Sequence, residues 1–253
     1  MTIDVDRQNH GLVVLHDMSK LEMMILDPDI SDEHAAAFAA NHNEVWPLLA
    51  IDGEIFRQRV ERGTLIGGYV GVDPIPLLET TSFYLEGVDE IESSISDLRK
   101  RSYEVAKLVH QKFTGGYADL TNDGAWHPDE ENANVMIMVD LTTPNRHEGR
   151  GMARALVNYY KNVMFELNGF QRPEHLKDAK YALTFTPKPL DYDDLSYDQG
   201  MVQFHRNVGG AFNTGYVWEN ARPGDKKPDV IMMCYMAPKF TPEMKAPQIQ
   251  RAA

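Results

Sequence analysis

A chain of 253 residues, 43% hydrophobic and 25% charged, is long enough to form one large domain around its own core. Its formal net charge of -13 argues against broad binding to nucleic acid or to an anionic membrane, because either would repel most of the surface. The single cysteine, Cys234, excludes an intramolecular disulfide, and its apolar setting in Val230–Met236 reads as a small buried hydrophobe rather than a nucleophile. The opening MTIDVDRQNH has neither the cationic start nor the apolar run of a signal peptide, and no window approaches the ~20 apolar residues of a membrane span. The expected location is a reducing cytoplasm.

Gly11–Leu26 alternates short apolar runs and predicts an opening strand or strands. Ser31 followed by Asp32 and Glu33 predicts a helix start, with a helical region broken near Pro47 and reaching Arg59. Thr64–Val72 and Pro76–Leu85 read as two strands joined at Asp73-Pro74. The block from Gly87 to Asn132 reads as a helical insertion or lid, with helical spacing over Ile91–Phe113 and an acidic, turn-rich segment after Gly115-Gly116. His127, Asp129, Glu130 and Glu131 look metal-like there but lack regular ligand spacing, so a solvated loop is expected and no metal is invoked.

Val135–Leu141 is apolar on both faces apart from Asp140, as a central strand covered by helices would be. A polar turn with Gly149 and Gly151 follows, and an amphipathic helix starts at once. Its apolar stripe is Ala153, Leu156, Val157, Tyr160, Val163, Met164 and Leu167, and Gly169 and Pro173 end it. A strand over Tyr181–Thr186, a short helix over Met201–Val208 and a last strand over Val230–Met236 complete the pattern. The alternation predicts an α/β or mixed α+β class, with a central mixed, twisted sheet flanked by helices, and residues 1–253 as one domain ending in a flexible tail over 240–253.

The strand–glycine turn–helix unit aims backbone N–H groups, at the positive end of a helix, toward an anion seated in the turn. A phosphate-bearing ligand is the expected occupant. The same residues resemble the signature of the GNAT superfamily of acyl-CoA-dependent acyltransferases, Gln/Arg-x-x-Gly-x-Gly/Ala. Two registers fit: Arg146-His-Glu-Gly149-Arg-Gly151 satisfies the written pattern, and Glu148-Gly-Arg-Gly151-Met-Ala153 matches the helix opening better with Glu in first place. Asp198–Gly210 resembles the later GNAT helix, with His205 where many members carry a tyrosine that protonates the departing thiolate. Phe204-His205, Gly209-Gly210-Ala211 and Arg222-Pro-Gly-Asp225 look more like a subgroup found with biosynthetic gene products, some of which act on carrier-protein thioesters or decarboxylate malonyl thioesters.

The resemblance, which covers about Val135–Met236, implies a phosphopantetheine thioester as acyl donor, acetyl-CoA or another acyl-CoA or an acyl carrier protein. The residues expected to hold it are Leu141, Thr142, Thr143, Arg146, His147, Glu148, Gly149, Arg150, Gly151, Met152 and Ala153. The pantetheine arm would pair with the edge of the central strand opened by a bulge near Asp140–Thr142, with a backbone N–H around Leu141 facing the thioester carbonyl. His205 is the candidate acid for the thiolate, and Asp140 or Glu79 the candidate base for an incoming amine. Thr184, with Thr186, would instead help His205 hold a malonyl carboxylate in the decarboxylating subgroup.

The leading expectation is direct N-acyl transfer to a small-molecule amine, without a protein nucleophile. Decarboxylation or S-acyl transfer on a malonyl-type thioester, and a non-catalytic CoA-binding regulatory role, stay open beside it. Carrier docking would use Arg146, Arg150, Arg154 and Lys161. The acceptor would meet the N-terminal half, the Gly87–Asn132 block and the Leu190–Tyr197 loop, whose Asp191, Asp193 and Asp194, with Asp198 beyond it, suit a cationic amine.

Overall fold

Eight strands among the described residues form one mixed sheet in the order β1-β2-β3-β4-β5-β6-β8-β7. They are β1 (Gly11–Val14), β2 (Lys20–Ile25), β3 (Leu65–Val70), β4 (Asp73–Phe83), β5 (Val135–Thr142), β6 (Tyr181–Pro187), β7 (Phe212–Trp218) and β8 (Val230–Tyr235). The computed structural model describes residues 10–47, 50–63, 65–122, 132–189, 197–222 and 228–235. The His127–Glu131 segment, most of the Leu190–Tyr197 loop, Pro223–Asp225 and the 240–253 tail therefore lie outside the described residues. The chain divides into two compact units, with β4 and β5 running through both. Among the described residues no helix is long and apolar enough to cross a membrane.

The first unit takes residues 1–78, 141–173 and 237–253. Its helices are α1 (Asp32–Val45), α2 (Gly53–Glu61) and α6 (Met152–Met164). Ser31 caps α1 by accepting from the His34 N–H at 3.3 Å, and Asp52 caps α2 by accepting from the Ile55 N–H at 2.8 Å. Both helices then bury apolar residues against the sheet: Phe38, Ala39, Phe56 and Val60 pack with Leu26, Leu65 and Leu77. Side chains of this size each contribute about 1.5–3 kcal/mol when fully buried. The third helix packs on β2 and β3. Its buried surface is wider than one stripe, because Ala155 and Tyr159 are buried along with Leu156, Val157, Tyr160, Val163 and Met164, whereas Ala153 and Leu167 are only half-buried.

The second unit takes residues 79–140 and 174–236. It holds α3 (Val88–Ser94), α4 (Leu98–Lys112), α5 (Tyr117–Asn122) and α7 (Tyr197–Gly209). The buried amide of Asn134 closes the turn out of β4, accepting from the Leu85 N–H at 2.9 Å and donating to the Leu85 carbonyl at 3.0 Å. Phe83 meets Phe113 edge-on with ring centroids 4.8 Å apart, which ties α4 to the sheet. Cys234 is 2% exposed on β8, and burial pushes its thiol up to about 11.

Three expectations need correction. The β3–β4 turn is Gly71-Val72, with Gly71 at φ +65, and Asp73-Pro74 already begins β4. The Ile91–Phe113 periodicity is two helices, since Ile95 leaves helical geometry at φ -118, ψ 116 and Asp97 caps the second by accepting from the Lys100 N–H at 2.9 Å. Phe212–Trp218 is a strand that the sequence pattern did not mark; its residues do not alternate cleanly, and its ladder with β8 is irregular between Asn213 and Val217.

Candidate active site

In the first unit the polar turn after β5 carries two left-handed glycines, Gly149 at φ +78 and Gly151 at φ +90. A side chain at either position would be strained, which favours glycine in this turn. Gly151 is the N-cap of α6 and supplies no side-chain cap, which leaves the first-turn N–H groups of that helix to an outside acceptor. A Cβ on Gly149 would meet no atom within 4 Å, so the space over the turn is open. The buried hydroxyl of Thr143 has no hydrogen-bond partner. Open space, uncapped donors and an orphaned hydroxyl in one segment suit a phosphate-bearing donor.

The turn is held by residues that sequence reasoning missed. His16, just after β1, places Nδ1 2.9 Å from the Gly149 carbonyl, and its own N–H donates to the Arg150 carbonyl at 3.3 Å. Arg150 pairs with Asp17 at 2.7 Å, donates to the Ser19 hydroxyl at 2.9 Å and lies 2.8 Å from His147 Nδ1. Arg146 pairs with Glu44 and donates to Asn41 Oδ1 at 2.6 Å. Both arginines are thus engaged by side chains from the β1–β2 turn and α1, and they brace the loop. The Ser19 hydroxyl and backbone, with Arg150, hold Asp17 down at about 2. Desolvation and the two arginines lower the His147 imidazole below its ordinary range. No spacing rule joins residues 16–19 to 149–151, so only the fold reveals this clamp.

The side chains of Thr142 and Met152 are each 1% exposed. Thr142 Oγ1 accepts from Trp46 Nε1 at 3.1 Å, so these two positions offer a ligand their backbone. Leu141 and Ala153 are half-buried, and Glu148 is exposed.

In the second unit β5 and β6 run parallel from Val135↔Tyr181 to Met138↔Thr184, where their register ends. Each strand continues, β5 toward Asp140 and β6 through Thr186 to Pro187. The paired register ends one residue before the Asp140–Thr142 opening expected from sequence. Alternation puts Met138 and Asp140 on one face of β5, and Thr184 and Thr186 on the corresponding face of β6. Thr184 Oγ1 donates to the Met138 carbonyl at 3.3 Å, whereas the buried Thr186 hydroxyl has no partner. Glu79 and Asp140 are 3% and 4% exposed, with carboxylate oxygens within 4.8 Å of one another.

His205 on α7 is 3% exposed, and its Nδ1 lies 2.6 Å from the hydroxyl of Tyr235. Burial holds its imidazole down at about 4, so the ring is neutral at physiological pH. Tyr235 is opposite Ala182 on β6, which places it on the face that also carries Thr184 and Thr186. A reading of the sequence alone had no reason to select Tyr235 from an apolar strand.

No protein-family model matches the sequence, and no curated protein matches it. Among solved structures, the chain is similar to the loading GNATL domain of CurA from Lyngbya majuscula, with TM-score 0.54 and 9% identity over 85% of this chain and 96% of that one. It is also similar to the GphF GNAT-like decarboxylase, solved in complex with isobutyryl-CoA, with TM-score 0.52 and 11% identity over 83% and 97%. The GNAT domain of S. lividans PAT matches with TM-score 0.51 and 10% identity over 91% and 99%. The mixed sheet, the parted parallel strands and the glycine turn opening a helix agree with that likeness, and the chain has the GNAT fold.

Proposed function

We propose that this protein is an acyltransferase that draws its acyl group from a pantetheine thioester, with acyl-CoA as donor. The observation that carries this reading is the parting of β5 from β6 after Met138↔Thr184. A strand edge at which a parallel ladder ends takes an extended amide-bearing arm as an added strand, and the pantetheine arm has that chemistry. The uncapped N-terminus of α6 would hold the pyrophosphate, with Gly149, Gly151 and Thr143 beside it. Carrier-protein delivery has less support, because Arg146 and Arg150 are paired within the chain and desolvation lowers the ammonium of Lys161 below its ordinary range.

A small amine is the proposed acceptor. The buried Glu79 and Asp140 carboxylates lie within 4.8 Å of one another, and either offers a base for the attacking nitrogen. In one direct step the nitrogen forms a bond to the carbonyl carbon, the carbon–sulfur bond breaks, and a carboxylate takes the ammonium proton. The N–H of Leu141 is the candidate donor to the carbonyl oxygen; a donor of this kind is worth about 3 kcal/mol elsewhere. Decarboxylation of a malonyl-type thioester is the second reading. His205, Thr184 and the orphaned Thr186 hydroxyl favour it, as does the likeness to a GNAT-like decarboxylase.

The test is mass spectrometry of the protein with acetyl-CoA, malonyl-CoA and the matching acyl carrier proteins, each with and without pooled small amines. An acylated amine formed from acetyl-CoA supports the first reading. Conversion of malonyl-CoA to acetyl-CoA without an amine replaces it with the second, and a donor bound but unchanged leaves only a CoA-binding role.

A further inference from the structure

We infer that His16, in the turn between β1 and β2 and outside the glycine turn itself, binds the acyl donor: as an imidazolium it brings an N–H and a positive charge to the pyrophosphate seat at the start of α6. The inference rests on the acyl-CoA reading for the identity of the ligand.

Two contacts decide which edge of the ring meets the seat. Nδ1 lies 2.9 Å from the Gly149 carbonyl oxygen. A carbonyl oxygen only accepts, so the hydrogen of that bond is on Nδ1. The Nε2 edge lies against the N-cap of α6, since a Cβ on Gly151 would stand 3.3 Å from Nε2 and 3.4 Å from Cε1. The bare Cα of Gly151 thus lets Nε2 stand beside first-turn N–H groups that no side chain caps. The turn that carries the ring is tied down. The Leu15 N–H donates to the Ser19 carbonyl at 2.8 Å, and the His16 N–H donates to the Arg150 carbonyl at 3.3 Å.

The protonation state of the bound form follows from that arrangement. With its hydrogen on Nδ1, a neutral ring presents a lone pair at Nε2, which repels a phosphate oxygen. A ring protonated at both nitrogens keeps its bond to Gly149 and donates from Nε2 as well. Binding of the pyrophosphate therefore takes up a proton at His16, and the charge-assisted bond adds to the attraction of the helix N-terminus. The charged and titratable residues on the surrounding elements are Asp17 in the same turn, Arg146, His147, Glu148 and Arg150 in the glycine turn, and Arg154 in the first turn of α6. Asp17 pairs with Arg150 at 2.7 Å, so the carboxylate next to His16 is already matched by a cation.

The test is titration calorimetry of the native protein with CoA, dephospho-CoA and pantetheine, in buffers of different ionisation enthalpy. Dephospho-CoA is the decisive probe, because its pyrophosphate does not itself titrate near neutral pH. It and CoA should each bind with proton uptake and lose affinity as pH rises, and pantetheine should take up no proton. His16→Asn keeps an N–H near the Nδ1 position, so it separates support of the turn from contact with the ligand. It should retain the native Tm, abolish the uptake and weaken dephospho-CoA about tenfold at about pH 6, with little change at about pH 8. Long-range ¹⁵N–¹H spectra, with the His16 signals assigned by their absence from His16→Asn, should show the neutral ring of the free protein with its hydrogen on Nδ1. At the same pH the CoA complex should show both nitrogens protonated. A neutral Nε2–H ring, binding of dephospho-CoA without proton uptake at His16, or native affinity in His16→Asn at about pH 6 overturns the inference and leaves the acyl-CoA reading standing. Failure of the native protein to bind either CoA or dephospho-CoA overturns both.

Discussion

Replacing Gly149 and Gly151 separately with alanine distinguishes backbone strain from ligand contact. Both residues have positive φ, +78 and +90, where an alanine costs about 1–2 kcal/mol. Alanine also restricts the unfolded chain, which returns about 0.4–1 kcal/mol and leaves a net loss near 1 kcal/mol for Gly149→Ala. Its new methyl group meets nothing within 4 Å, so no packing cost is added. Gly151→Ala is different, because its Cβ would lie 3.3 Å from His16 Nε2. His16 cannot easily yield, being held at 2.9 Å to the Gly149 carbonyl, and a loss of about 2 kcal/mol is expected. Calorimetry should show Tm falling by about 2–4 °C for Gly149→Ala and about twice that for Gly151→Ala. The donor KM should rise for Gly149→Ala out of proportion to its stability loss, since its methyl group fills the open space above the turn. Equal stability of the two variants would refute the His16 contact, and an unchanged donor KM in Gly149→Ala would refute the seat assigned to the pyrophosphate.

The depressed His205 ionisation makes the folded state bind fewer protons than the unfolded one between the ordinary value of 6.5 and about 4. Stability should therefore fall as pH drops through that window, by about 3 kcal/mol from this group, and denaturant titrations of His205→Gln should lack that component. Asp17 has linkage of the same sign at lower pH: its carboxyl is lowered from 3.8 to about 2, so its contribution is present above 3.8 and lost as pH falls toward 2. Asp17→Asn should flatten acid unfolding in that range and loosen Arg150. Cys234, with its thiol raised to about 11, should resist alkylation at pH 8 in the folded protein and react freely in denaturant. Phe38→Ala removes a fully buried ring and should cost about 3–5 kcal/mol by chemical denaturation.

Periodicity and punctuation were sufficient for the elements whose order is local. The apolar run of β5, the glycines at 149 and 151 and the spacing along α6 all express contacts within a few residues of one another. They marked the strand–turn–helix unit and, with the Phe204-His205 helix, the GNAT resemblance. The Ser31 cap was equally legible, because a hydroxyl bonding an N–H three residues on is a property of the segment itself. Phe212–Trp218 was not legible, since an irregular edge strand has no strict alternation and gains its pairing from β8.

Everything that depends on residues far apart in the chain waited for the tertiary structure. Sequence supplied Arg146 and Arg150 as cations beside a phosphate seat; folding brings Glu44, Asn41, Asp17 and Ser19 to them and makes them braces. It supplied His205 as an acid; burial, with the Tyr235 hydroxyl against Nδ1, keeps the ring neutral. The physical reason is the same in both cases. Residue type and spacing determine what a side chain is able to donate or accept, while desolvation and the partner across the fold determine which of those states it occupies.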